Sequence, residues 1–320
     1  MSKTNLNNFK MDKVRNTLNN FKMIYPNLWK RLIDDKDLYI DIRKNNNIEI
    51  YYNGWCLFNI SEKCICTNTK FIPFHKFYKN EYIRFENNIS HKIEINFSDF
   101  ENAEIDVPAN KKHATLIGEM KKIINKYSKP EKTIQGKYAT NANKWKGTDE
   151  DGKIYEKNGI ILDTEFAFDD NDEKNRIDLV YLSKKDMKLY FVELKRSNDY
   201  RLKPSSAENI KEQIISYHNL LSNESDNLLE YYKKVFKIKK EFNLMNKFVD
   251  DNEFADIDIN KLTIEDKPIL LIGNKQKKSS DFETKIKNSN NEFYKSIREN
   301  IFESKPICNS IDRPFLNLGN

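Results

Sequence analysis

Three consecutive runs decide how this chain folds: Ile160-Ile-Leu-Asp-Thr-Glu-Phe-Ala-Phe168, Arg176-Ile-Asp-Leu-Val-Tyr-Leu182 and Lys188-Leu-Tyr-Phe-Val-Glu-Leu-Lys195. Each is rich in aliphatic and aromatic residues and is bounded by polar turn residues, so each reads as a strand. The connections, Asp169 to Asn175 and Ser183 to Met187, are too short for a crossover, which makes the three strands antiparallel neighbours. Further on, Ser205 and Glu208 form a capping-box pattern that opens a helix through about Leu221. A second helix is expected from about Asp226 to Met245, then an acidic loop, a buried strand from Pro268 to Ile272 and a final helix from about Asp281 to Ile301. Strand, crossover helices and strand require a right-handed parallel connection, so the expected core is a mixed sheet flanked by helices.

The chemistry is carried by the ends of those strands. Glu193 and Lys195 are two apart and share one face of a strand whose other residues are apolar. A carboxylate and an ammonium there are costly unless they are paired or used. A turn centred on Lys185-Asp186 sets Asp178 opposite Glu193, and one centred on Asn171-Asp172 sets Glu165 opposite Asp178. The three carboxylates then form a row with neighbouring Cβ atoms about 5 Å apart. Such a row repels itself unless a cation sits in it, and hard oxygen donors suit Mg²⁺ or Mn²⁺. Glu-x-Lys alone is not diagnostic, because the same spacing recurs at Glu119, Glu265, Glu283 and Glu303.

Upstream, residues 12–32 read as one amphipathic helix, followed by a meander of Leu38–Arg43, Ile48–Tyr52 and Trp55–Ile60 with an Asn53-Gly54 turn. Residues 1–110 are thus expected to be a small α+β module and residues 111–320 the second domain. Between Lys111 and Lys146, ten lysines face only Glu119 and Glu131. The stretch from Ala114 to Tyr127 looks helical, and the part holding Tyr138 and Trp145 looks like a loop. Lys121, Lys122, Lys144 and Lys146 are the candidate nucleic-acid contacts, since a basic approach to an acidic site attracts a polyanion.

The 320 residues carry 55 Lys+Arg against 49 Asp+Glu, and the 12% aromatic share indicates a folded chain. No GxxxxGK[ST] or GxGxxG loop is present, which speaks against nucleotide chemistry through those loops. The longest aliphatic run is Ile269–Ile272, far short of the ~20 residues of a membrane helix, and the first residues hold no apolar signal region. A cytoplasmic protein without membrane contact is expected. Cys56, Cys64, Cys66 and Cys308 suggest neither disulfides nor zinc, Cys64 and Cys66 read as buried reduced thiols, and His218 reads as a helix-surface residue.

Asp178, then Glu193-x-Lys195 at the end of the next strand, then Gln213-x-x-x-Tyr217 one helix later, resembles the PD-(D/E)XK nuclease superfamily and is similar to its RecB-like branch. The resemblance covers roughly Ala114 to Ile272 and implies a restriction-endonuclease-like core. It implies that Asp178, Glu193 and the main-chain carbonyl of Leu194 hold the metal, and that Lys195 positions or activates the attacking water. It also implies that Gln213 and Tyr217 share a helix face looking onto the site. The residue before Asp178 is Ile177 rather than proline, a departure that the family tolerates. The family's upstream acid often lies on the helix before the first strand, so Glu119 competes with Glu165, which the register favours. The implied activity is Mg²⁺- or Mn²⁺-dependent hydrolysis of DNA leaving a 5′-phosphate, in restriction, defence or repair. The N-terminal module would then choose substrate or partner, as a homodimer or with another protein. The alternatives are a catalytically inactive nucleic-acid-binding or scaffold protein of the same fold, and a ribonuclease.

Overall fold

A computed structural model of the chain describes residues 6–62, 65–68, 71, 92–94, 116–127, 129–141, 146–148, 154–156, 159–170, 173–245, 257–273, 277–304 and 307–309. Two helices, α1 (Met11–Ile24) and α2 (Pro26–Asp34), replace the single helix expected over 12–32, because Pro26 cannot continue the first and starts the second. The meander follows as expected: β1 (Leu38–Ile42), β2 (Ile48–Tyr52) and β3 (Trp55–Ile60) pair antiparallel, and β4 (Ile65–Asn68) and β5 (Lys92–Glu94) extend the sheet. Asn53 and Gly54 both take positive φ, 48° and 75°, as the tight hairpin turn requires. Cys56 and Cys66 are partly buried thiols, the first donating to the Phe58 carbonyl at 3.2 Å, while Cys64 and Cys308's side chain lie outside the described residues.

The second part begins with α3 (Leu116–Tyr127) and α4 (Pro130–Asn141). The loop expected after Tyr127 is therefore a helix over most of its length. Its buried residues, Ile134, Gln135, Gly136, Tyr138 and Ala139, include a glutamine and a glycine, so the apolar stripe that would have revealed it is weak. The pair β6 (Lys146–Thr148) and β7 (Ile154–Glu156) leads to the central sheet.

That sheet contains β8 (Gly159–Asp170), β9 (Glu173–Ser183) and β10 (Lys188–Arg196), consecutive and antiparallel. Next come α5 (Ile210–Glu241), β11 (Thr263–Ile264), β12 (Ile269–Gly273), α6 (Lys277–Asn288), α7 (Glu292–Asn300) and β13 (Ile307–Asn309). Strand order is β13-β12-β10-β9-β8, with β11 and β12 both parallel to β10. The mixed sheet flanked by helices is thus observed, beside a separate antiparallel sheet.

Two other expectations are corrected. The two helices expected after Ser205, to about Leu221 and from about Asp226 to Met245, are one, capped by Asn209 rather than Ser205, since the Asn209 side chain accepts the Lys211 amide. The polar run Ser222–Asp226 does not break it: none of those residues is buried, and Leu221 and Leu228 keep the buried stripe in phase on either side. Conversely, the final helix is two, because Asn291 caps the second by accepting the Phe293 amide.

One hydrophobic core runs through both parts. It joins Leu18, Leu38, Ile50 and Phe58 to Ile160, Leu179, Phe191, Tyr217 and Tyr232. The smaller cluster, Ile210, Ile214, Leu270, Ile272, Ile286 and Ile297, closes the other face of the sheet. Among the described residues no helix is long and apolar enough to cross a membrane.

Candidate active site

β9 and β10 pair as far as Leu179 and Val192, and then separate. Beyond that point β10 keeps its parallel partner β12, from Val192 opposite Ile269 to Arg196 opposite Gly273, while β9 stays with β8. The separation opens a notch at Asp178 and Glu193, the next residues in the register expected from the turn. Asp178 spans it: its Oδ2 accepts the Leu194 amide at 2.8 Å, replacing the ladder bond that the strands no longer make.

Glu193 and Lys195 are 0% and 1% exposed. Lys195 Nζ donates to Glu193 Oε1 and, at 3.3 Å, to the Leu194 carbonyl. Glu193 Oε2 is buried and has no hydrogen-bond partner. A buried carboxylate oxygen left bare is costly, and that is the donor a hard cation satisfies. Burial raises Asp178 to about 6, against the pull of Lys195 and with Glu165 adding to the rise. Burial lowers Lys195, opposed by the Asp178 charge. A carboxylate and a lysine displaced toward each other in a partly closed notch are the electrostatic pattern of a proton-handling or metal-holding site.

Glu165 faces the same notch but is held differently. It sits at φ 54°, in the left-handed region that a glutamate seldom adopts, at a point where the β8–β9 register passes over both Glu165 and Asp178. Its carboxylate accepts from Lys132, from Gln135 Nε2 at 2.8 Å and from Arg176 at 3.2 Å. Burial would raise Glu165, but these three donors, Lys132 foremost, hold it below its ordinary value. The pairing on either side keeps the expected register, but neither Glu165 with Asp178 nor Asp178 with Glu193 is a ladder pair, and Glu165 is taken up by Lys132, Gln135 and Arg176. Among the described residues, no three acidic, histidine or cysteine side chains are gathered at metal-holding distances.

Gln213 and Tyr217 lie one turn apart on α5, and Gln213 Nε2 donates to Tyr217 Oη at 2.7 Å. Tyr217 donates to the Arg176 carbonyl two residues before Asp178 and packs edge-on against Phe168. Burial, and then the Asp178 charge, hold its hydroxyl protonated, so it serves as a donor. The pair fixes β9 rather than entering the notch itself.

Glu119, the rival for Glu165, pairs with Lys122 on its own helix at 2.7 Å. The acid that the sequence reading passed over is Glu131, in the first turn of α4. It lies 4.0 Å from Lys195 Nζ and 3.2 Å from Arg201, which Asp199 also holds at 2.6 Å. Beside it, Gln135 donates to the Asp178 carbonyl at 2.8 Å as well as to Glu165, joining α4 to both strands. The local signal was Pro130-Glu131, a proline and an acid where a helix begins.

Of the four lysines expected to contact nucleic acid, Lys121 pairs with Asp35 at 2.6 Å and Asp37 at 3.1 Å, and Lys122 pairs with Glu119. Lys144 and the side chain of Lys146 lie outside the described residues. His218 is partly buried and shares a hydrogen bond with Asn300 on α7. No protein-family model, curated protein or solved structure matches this chain.

Proposed function

We propose that the chain is a metal-dependent nuclease that hydrolyses DNA phosphodiester bonds from a restriction-endonuclease-like core. The observation that carries this reading is the notch itself: Asp178 bonds the amide next to Glu193 where two strands part, Glu193 Oε2 is bare, and Lys195 stands on the same strand end. A binding surface for a polyanion gains nothing from buried carboxylates turned toward it.

The donor set fits Mg²⁺ or Mn²⁺: Asp178, Glu193 and the Leu194 carbonyl would hold the ion, with Glu165 and Glu131 at its border. Such an ion supplies polarisation of a phosphate oxygen and a lowered pKa for bound water. The chain's own residues do the rest. Lys195, its pKa lowered by burial, positions the attacking water and moves its proton. Arg201, 27% exposed at the edge of the notch, offers a planar cation to a phosphate. Gln213 and Tyr217 keep β9, and with it Asp178, in place.

The test is incubation with plasmid, linear duplex, single-stranded DNA and RNA in Mg²⁺, Mn²⁺ or EDTA, beside Lys195→Ala. Cleavage of DNA that needs the divalent ion and is lost in the variant supports the reading. The Lys195–Glu193 contact favours a second one, in which that ion pair is purely structural and the protein binds nucleic acid without cutting it. Binding without cleavage of any substrate would select it.

A further inference from the structure

β8 is the edge strand of the six-stranded sheet, and its outer edge carries unpaired main-chain groups unless something covers it. The cover comes from β1 and the residue after it, about 120 residues earlier in the chain. Asp41 Oδ2 accepts both the Thr164 amide, at 3.1 Å, and the Thr164 hydroxyl, at 2.7 Å. Arg43 Nη1 donates to the Thr164 carbonyl at 2.5 Å and to Asp163 at 2.6 Å. Arg43 is itself fixed by Glu49 and Tyr51, each at 2.6 Å. Lys239 of α5 donates to Asp41 at 3.1 Å and to the carbonyl of Leu162, where the β8–β9 register shifts. Tyr232 donates to Asp163 at 3.1 Å. Asp41, Asp163, Thr164 and Lys239 are all buried.

The Thr164 carbonyl is thus held by Arg43 and its amide is shared between Asp41 and, at 2.9 Å, the neighbouring Asp163 Oδ1, which Arg43 holds in turn; the next residue is Glu165, at φ 54°. A conformation this unfavourable for a glutamate persists only where its surroundings over-determine it. It aims the Glu165 carboxylate at Lys132, Gln135 and Arg176, at the border of the notch. The same module also holds α4, the source of Lys132 and Gln135. Gly136 lies so close to the β2–β3 turn that an added Cβ would stand 2.6 Å from the Asn53 Cα.

We propose that the N-terminal module is a built-in part of the candidate active site, with Asp41 and Arg43 acting as positioning residues that impose the Glu165 backbone conformation. Only the kinetic arm of this inference rests on the nuclease reading. Asp41 and Arg43 touch no reacting atom and act through Thr164. The module is then an element without which the notch loses its ordered border, in addition to any part it plays in choosing a substrate.

The experiment uses the full chain with Asp41→Asn and, as a second variant, Arg43→Gln, each checked by its melting transition. Crystal structures of both variants are expected to show Glu165 relaxed to negative φ and parted from Gln135. With duplex DNA and Mg²⁺, kcat is expected to fall by about a hundredfold with KM unchanged, the signature of misplaced groups rather than lost affinity. A folded variant that keeps Glu165 at positive φ overturns the proposal, as does one that relaxes Glu165 yet keeps the full kcat. Should the natural chain cleave nothing with Mg²⁺ or Mn²⁺, the nuclease reading fails and the crystal structures alone decide the positioning.

Discussion

Asp178 accepts the main-chain amide of Leu194 at 2.8 Å, so one acidic side chain closes the gap that opens where β9 leaves β10. This single bond ties the strand carrying Asp178 to the residue lying between Glu193 and Lys195. The three polar groups are therefore mechanically linked, and changes in one are read by the others.

Asp178 should make stability fall as pH rises. Its folded carboxyl keeps its proton up to about 6, while the unfolded chain releases one near 3.9. The resulting stabilisation is complete below the unfolded value and is lost as pH climbs through about 6, a total on the order of 3 kcal/mol. Asp178→Asn should abolish this dependence, stabilise the metal-free protein at pH 7 and eliminate ion-dependent cleavage. Chemical denaturation at pH 4 to 8 measures the first two effects, and a plasmid assay the third.

Lys195→Met leaves the Glu193 charge buried without its ammonium. Breaking a buried pair from one side costs about 3–5 kcal/mol. A divalent ion can replace the lost charge, so Mg²⁺ should raise the melting temperature of this variant more than that of the unaltered protein. Equal melting temperatures with and without Mg²⁺ in both proteins would remove Glu193 from the ion site.

Tyr217→Phe deletes one hydroxyl that donates to the Arg176 carbonyl and accepts from Gln213. The expected loss is about 1 kcal/mol, because two part-buried hydrogen bonds are lost at once. As the pair secures β9, cleavage should fall less than in Lys195→Ala. A loss of activity equal to that of Lys195→Ala would instead put the hydroxyl in the chemistry.

Gly136→Ala drives a methyl group against the Asn53 main chain, which belongs to a tight turn and cannot step aside. The helix carrying Glu131, Lys132 and Gln135 should shift away from the hairpin at a cost of about 1–3 kcal/mol. The checks are urea denaturation and the crystallographic Gln135–Asp178 distance, now 2.8 Å. An unmoved helix would show that the hairpin does not hold it.

Local pattern made the central hairpins legible. Alternating apolar residues and two short turns were enough to put Asp178 beside Glu193, because a turn's centre sets every pairing on both of its strands. The same pattern misplaced helix ends wherever a cap or a proline outweighed periodicity, as at Asn209, Asn291 and Pro26. It missed α4 because the face that helix buries includes Gln135.

Short-range pattern alone was enough for the antiparallel succession of β8, β9 and β10, for their register, and for bringing Asp178 near Glu193 and Lys195, since a hairpin's pairing follows from neighbours a few positions apart. Long-range packing settled how Glu165 is turned, that Glu131 and Gln135 stand beside Lys195 and Asp178, and that Asp41 and Arg43 close the β8 edge. Those relationships join groups tens to more than a hundred positions apart through single side-chain hydrogen bonds. Such bonds form only after packing has brought the elements together, and they leave no periodic trace in the chain.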